Sequence, residues 1–134
     1  MKVAFICTAN AARSQMAEGL LRTLSGGTCD ALSAGAYPAW GVHPDAVKAM
    51  EEIGVDISGQ RSKGIPQLPK GLDVVITVCD HAAKECPVFP GNVRRLHWPV
   101  TDPAGSGLDA FRAAREDLRG RILQFLSSEG VEAS

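Results

Sequence analysis

The chain has 134 residues, enough for one domain (1–134) of ordinary size and too few for two independent cores. Its hydrophobic fraction of 45%, charged fraction of 22% and formal net charge of −1 give neither nucleic acid nor an anionic membrane surface anything to hold. Any anion binding must come from a local site, and no apolar run approaches the roughly 20 residues that span a bilayer. Met1 to Ala11 faintly imitates an export signal, with one lysine, a minimal apolar stretch and an Ala9-Asn10-Ala11 step. That stretch runs directly into a helical pattern, so the expectation is a cytoplasmic protein whose four cysteines are reduced thiols. Their spacing then bears on reactivity and not on stapling.

In chain order, Lys2 to Ile6 is a short apolar run that predicts a buried first strand. Met16, Leu20, Leu21 and Leu24 recur at helical spacing, and Gly26-Gly27 ends that helix. Ala31 to Ala36 reads as a weak second strand. Pro44 opens a second helix with Ala46, Val47, Met50 and Ile53 on one face and Gly54 just beyond it. Residues 57 to 71, rich in Gly, Ser, Lys and Pro, read as loop with room for a short helix. Asp73 to Cys79 has the densest β-branched content, and Arg95 to Val100 predicts a fourth strand. A last helix starts near Leu108, with Phe111, Ala114, Leu118, Ile122 and Phe125 inward and Arg112, Arg115, Glu116 and Arg119 outward. Strands separated by helices predict an α/β fold, a four-stranded open parallel sheet flanked by helices on both faces.

In such a sheet, chemistry gathers at the carboxyl ends of the strands. The first strand ends on Cys7-Thr8-Ala9-Asn10-Ala11-Ala12-Arg13-Ser14, where the first helix begins. A loop of small residues can curl so that successive backbone N–H groups face inward and form an anion nest. Arg13 adds a planar fork for two oxygens, and these positive surroundings favour the nucleophilic thiolate at Cys7. Ser14 can donate to that thiolate. Asp102, past the fourth predicted strand, lies where a loop can return toward Cys7 and manage a proton. Frequency alone makes it an Asp-Pro turn former.

Cys79 ends the third strand on the same sheet edge as Cys7, and Cys86 follows seven positions later. Were the intervening residues a regular helix, its rise would hold the two about 10 Å apart. A disulfide needs Cα atoms within about 7 Å, so that helix would have to unwind before they bonded. Cys29 has no such setting and reads as a packing cysteine. His43, His81 and His97 lack metal-ligand spacing, and His97-Trp98 reads as packing. Arg94 and Arg95 read as a solvated strand start. Trp40 suits a core plug or a pocket rim.

Taken together, the Cys7–Ser14 loop, Gln15-Met16-Ala17-Glu18-Gly19, Ser33-Ala34-Gly35, the strand through Cys79, Cys86-Pro87, His97-Trp98 and Asp102-Pro103-Ala104 cover nearly the whole chain. In these blocks the sequence resembles the low-molecular-weight protein tyrosine phosphatase superfamily, and within it the thioredoxin-coupled arsenate reductases. It departs at Ala9, Ala11 and Ala12, where the family usually has Gly, Ser and often Cys. The resemblance implies the phosphotyrosine phosphatase I fold, and arsenate held by the backbone of Thr8, Ala9, Asn10, Ala11 and Ala12 with Arg13 and Ser14. Phosphate and sulfate would compete for that place.

The resemblance also implies a three-cysteine relay. Cys7 attacks arsenate, Cys79 attacks Cys7 and releases arsenite, and Cys86 attacks Cys79 to leave a disulfide for thioredoxin, with Asp102 as the acid. Asn10, Ser14, Glu18 and Ser33 match positions that support the loop and, in some members, build a cation site. Lys63 stands where a carboxylate would complete that site, so the expectation is no metal, no bound cofactor and a monomer. Glu18 on its own reads as a solvated helix residue. Two rivals remain. One is a phosphatase acting on phosphotyrosine or aryl phosphates, poorly furnished with aromatics because Tyr37 is the only tyrosine. The other is a non-catalytic oxyanion sensor.

Overall fold

The computed structural model describes residues 1–79 and 92–133. Strand β1 (Lys2–Cys7) is buried from Val3 onward and sits inside the sheet, paired in parallel with β2 (Asp30–Gly35) on one side and β3 (Val74–Thr77) on the other. Strand β4 (Arg94–His97) pairs in parallel with β3, giving the order β2-β1-β3-β4. Alternate side chains of a strand point to opposite faces, and neighbours along β1 are equally buried, so both faces of the sheet are covered there. The register sets Cys7 beside Gly35, Ile6 beside Thr77, and Thr77 beside His97. The chain leaves β1 for β2 on one side and returns to β3 on the other, which opens a crevice at the carboxyl ends of β1 and β3.

Helix α1 (Arg13–Leu24) buries Met16, Leu20 and Leu21 and ends where Gly26 and Gly27 take positive φ. Helix α2 (Pro44–Glu51) starts behind His43, whose Nδ1 accepts from the Asp45 N–H at 3.1 Å. Ile53 lies past the end of this helix and is exposed, not on the apolar face assigned to it, because the chain has already turned toward Gly54 at φ 76°. A short 3₁₀ turn covers Ile65–Gln67 in the segment read as loop. Helix α3 (Leu108–Ser128) buries the five apolar residues predicted for its inner face, together with Leu126. Phe5, Met16, Leu20, Phe111, Leu118 and Ile122 fill the centre of the core.

The fourth strand ends at His97 and not at Val100. Trp98 still donates its N–H to the Thr77 carbonyl at 2.8 Å, but Pro99 has no N–H to continue the ladder. The Trp98 ring turns inward, 5.9 Å from Phe5 and 6.2 Å from Phe125, as its packing role required. Cys29 is buried in the core, as expected of a packing cysteine. Arg94, read as solvated, pairs with Glu129 at 2.8 Å and lies over the Phe125 ring. No helix among the described residues is long and apolar enough to cross a membrane.

Candidate active site

Between Cys7 and α1 the backbone carbonyls account for the loop's shape. Cys7 O accepts from Ala36 N–H at 3.2 Å, Thr8 O from Tyr37 at 2.8 Å, Ala9 O from Ala39 at 2.9 Å and Ala11 O from His43 at 2.8 Å. Ala12 O accepts from Met16 N–H at 2.9 Å, the first bond of α1. Asn10 O accepts from Gln15 Nε2 at 3.0 Å and from the Ser62 hydroxyl at 2.9 Å. Every carbonyl from Cys7 to Ala12 is thus held outward by a donor beyond the loop. In a trans peptide the following N–H points the opposite way, so the N–H groups of residues 8 to 13 turn to the inner side. The Asn10 N–H shows the direction, reaching Cys7 Sγ at 3.2 Å.

Asn10 is the only described non-glycine residue at positive φ, 50°, a conformation that Asn tolerates better than most. Ala9 is not among the positive-φ residues, so its Cβ brings no left-handed strain where a family glycine would stand. Gly35 has the tighter constraint. A Cβ there would lie 2.7 Å from Thr8 O, 2.8 Å from Asn10 N and 3.0 Å from Ala9 C, so only glycine lets β2 back the loop this closely. Ala12 caps α1 without a side-chain bond and the first turn carries no acid, which leaves the helix N-terminus open to an anion.

Cys7 is 3% exposed, with the Ser14 Oγ at 2.7 Å. Asn10 Nδ2 donates to that same oxygen at 2.8 Å, so the one Ser14 hydrogen is free for the sulfur. Arg13 lies over the far wall. Its Nη1 donates to Val100 O at 2.9 Å, and its Nη2 is 3.7 Å from the Asp102 carboxylate. Asp102 also accepts from the Ala104 N–H at 3.0 Å, the turn geometry of an Asp-Pro step, so it serves the turn while facing Arg13. Cys79, 5% exposed, has its sulfur 3.3 Å from Thr8 Oγ1. Arg13, Cys79, Pro99, Val100, Thr101 and Asp102 line a cleft of about 330 Å³. Cys86 and the helix considered between it and Cys79 lie outside the described residues.

Behind the loop, Glu18 is not solvated. It is 8% exposed, accepts from Ser33 Oγ at 2.6 Å, and faces Lys63 Nζ and Arg22 Nη1 at 3.6 Å each. Lys63 Nζ also donates to Arg61 O at 2.7 Å, while the Lys63 N–H donates to Asn10 Oδ1 at 2.8 Å. The reading of Glu18 failed because helical periodicity carries no signal for a cation arriving from residue 63. Trp40 is fully exposed and cannot be a core plug, and Tyr37 is also largely exposed. Both lie on the segment that backs the loop. Sequence reasoning missed Gln15, Gln60, Ser62 and the constraint on Gly35, since each matters only through residues distant in the chain. Among the described residues, no group of three or more His, Cys, Asp or Glu side chains gathers as a metal site.

The model of the low molecular weight phosphotyrosine protein phosphatase family matches residues 2–133. An arsenate reductase of Halalkalibacterium halodurans is 48% identical over 128 residues, covering 90% of this chain and 91% of that one. A solved arsenate reductase in the phosphate binding state superposes with a TM-score of 0.81 at 37% identity, over 95% of this chain and 97% of that one. The Corynebacterium glutamicum thioredoxin-dependent arsenate reductase gives 0.77 at 33% identity, over 95% of this chain and 60% of that one. By the extent of these matches, and by the loop that carries Cys7 and Arg13, the chain belongs to the low molecular weight phosphotyrosine protein phosphatase family.

Proposed function

We propose that the chain is an arsenate reductase that uses thioredoxin as its electron donor. The observation that carries the reading is the second thiol: Cys79 stands 3.3 Å from Thr8 Oγ1, at the edge of the loop that already cradles Cys7. Hydrolysis has no use for it. Cys7 attacks arsenic and displaces an oxygen as water, with Asp102 supplying a proton and Arg13 and the inward N–H groups holding the remaining oxygens. Cys79 then attacks Cys7 Sγ. The sulfur–sulfur bond forms as the sulfur–arsenic pair passes to arsenic, which leaves as arsenite, reduced by two electrons. Cys86 attacks Cys79 and frees Cys7, and the dithiol of thioredoxin reduces the Cys79–Cys86 disulfide.

The cycle needs no bound cofactor and suits a cytoplasmic, monomeric protein of one domain. Phosphate and sulfate, of the same tetrahedral shape, compete for the loop. Lys63 holds its ammonium against Glu18 in place of a metal ion, and a marked potassium dependence of activity would count against that role. The test is arsenate-dependent NADPH oxidation in the presence of thioredoxin and its reductase, run beside an aryl-phosphate assay. Turnover of aryl phosphate without arsenate reduction would establish the second reading, a phosphatase. One observation favours that second reading: Tyr37 and Trp40, on the segment that backs the loop, expose ring surface for which an oxyanion alone has no use.

A further inference from the structure

The Asn10–Ser14–Cys7 contact is the inner end of a longer array. Gln15 Nε2 faces three oxygens with two hydrogens: the Arg61 carbonyl at 2.8 Å, and Asn10 Oδ1 and the Asn10 carbonyl at 2.9 and 3.0 Å, so one hydrogen is shared. Gln60 Nε2 donates to Gln15 Oε1 at 2.7 Å and to the Gln15 carbonyl at 3.0 Å. Arg22 Nη2 donates to Gln60 Oε1 at 2.9 Å.

Each amide in this array has its orientation pinned by a partner that can act in only one sense. The Lys63 backbone N–H can only donate, so the Asn10 atom it meets is the oxygen, and the nitrogen must face Ser14. Backbone carbonyls can only accept, so the Gln15 and Gln60 atoms that meet them are nitrogens. The guanidinium can only donate, so Gln60 presents its oxygen to Arg22. Ser14 accepts from Asn10 and keeps its own hydrogen, which it donates to Cys7 Sγ when that sulfur is the thiolate, an acceptor only.

We infer that Gln15, Gln60 and Arg22 are positioning residues, forming a one-way donor chain Arg22→Gln60→Gln15→Asn10→Ser14 that ends on the Cys7 sulfur. Every link points its hydrogen toward that sulfur, so each bond polarises the next and the chain as a whole favours the thiolate over the thiol. Gln15 and Asn10 are fully buried, so the inner links are screened from water, while Arg22 lies at the surface with its side chain 44% exposed. The array also fixes the left-handed turn at Asn10, since Gln15 grips both the carbonyl and the side chain of that residue. Lys63 and Gln15 hold the Asn10 side-chain oxygen from two sides and so fix its rotamer.

The inference rests on Cys7 as the nucleophile of the proposed reaction, and the first part of its test does not require arsenate. Alkylation of Cys7 by iodoacetamide is followed by mass spectrometry as a function of pH in the wild type, Gln15→Met and Gln60→Met. Among the described residues, the charged groups facing Cys7 and this array are Arg13, Asp102, Glu18, Lys63 and Arg22, with Asp56 beside Arg22, and both substitutions leave all of them in place. Gln15→Met, which releases Asn10 and with it the Asn10 N–H bond to Cys7 Sγ, is expected to move the profile upward by at most about one pH unit, the effect of one lost hydrogen bond. Gln60→Met, which keeps the Arg22 charge and removes the bonds to Gln15 Oε1 and to the Gln15 carbonyl, should move it by about a quarter of that. Raising the assay pH should restore kcat in both variants with little change in KM for arsenate. Profiles in both variants that overlay the wild type, or a loss of kcat that higher pH leaves unrestored, overturn the donor chain alone. A wild-type Cys7 that does not alkylate at all overturns the reading of the site as well.

Discussion

The two walls of the cleft differ in how they are held. On the Cys7 side, every loop carbonyl has an outside donor, and Asn10, Ser14 and Gln15 are fully buried. On the far side, β4 is largely exposed, Asp102 has a side-chain exposure of 59%, and its approach to Arg13 is a 3.7 Å ion pair. The first wall is built before any anion arrives, so its N–H groups need little reorganisation when charge develops on the oxygens. The second is tied to the first by Arg13, through a hydrogen bond to the Val100 carbonyl and a longer approach to Asp102, whose exposed carboxylate is free to move. A rigid loop faces an adjustable carboxylate. That division suits a reaction in which the same sulfur is first a nucleophile and then the target of another thiol.

The contrast can be broken most completely at its centre. Cys7→Ser should abolish both arsenate reduction and aryl-phosphate hydrolysis, since the two readings share this nucleophile; residual turnover in either assay would remove Cys7 from its role. Cys79→Ser or Cys86→Ser separates the activities. Each should lose multiple-turnover reduction with thioredoxin while keeping slow aryl-phosphate hydrolysis, and full thioredoxin-coupled activity in Cys86→Ser would sink the relay.

Gly35→Ala attacks the rigid wall without touching a reacting group. Its Cβ would meet loop backbone at 2.7 and 2.8 Å, so the loop must shift, at a cost of about 1–3 kcal/mol. The expected result is a lower melting temperature and at least tenfold weaker inhibition by phosphate; unchanged phosphate inhibition would show that the cradle is not rigid.

The smallest effect expected concerns neither wall but the scaffold behind them. Hydrogen bonds from Arg112 and then Arg115 hold the Glu52 carboxyl down from 4.5 to about 2, joining the end of α2 to α3. A carboxyl lowered on folding stabilises the folded state above its unfolded value and loses that contribution as pH falls through its folded one. Urea midpoints of the wild type and Glu52→Gln should therefore differ at pH 6 and converge between about pH 4.5 and 2. A constant difference across that range would show that the clamp does not respond to charge.

Much of the fold was legible because its signals are local. The apolar run of β1, the β-branched run of β3 and the helical spacing of Phe111 to Phe125 reflect burial that each segment announces by itself. The boundaries that slipped, at Ile53 and after His97, were decided by where the chain turned and where Pro99 withheld a donor. Within the site, Cys7, Arg13 and Cys79 could be picked out because their chemistry is uncommon at strand ends. Glu18, Gln15 and Gln60 could not, because an ordinary carboxylate or amide has no distinctive meaning until its partners are known.

What the sequence determined by itself was an alternation of strands and helices, a loop of small residues closed by Arg13, and thiols at the ends of the first and third strands. These depend on side-chain type and short spacings. Tertiary structure alone decided which way the loop's N–H groups face, that Gly35 must lack a side chain, and that a chain of amides ends on the Cys7 sulfur. The physical reason is direction. Composition and spacing say which groups can donate and accept, but a hydrogen bond acquires its sense only from the partner that folding brings to it.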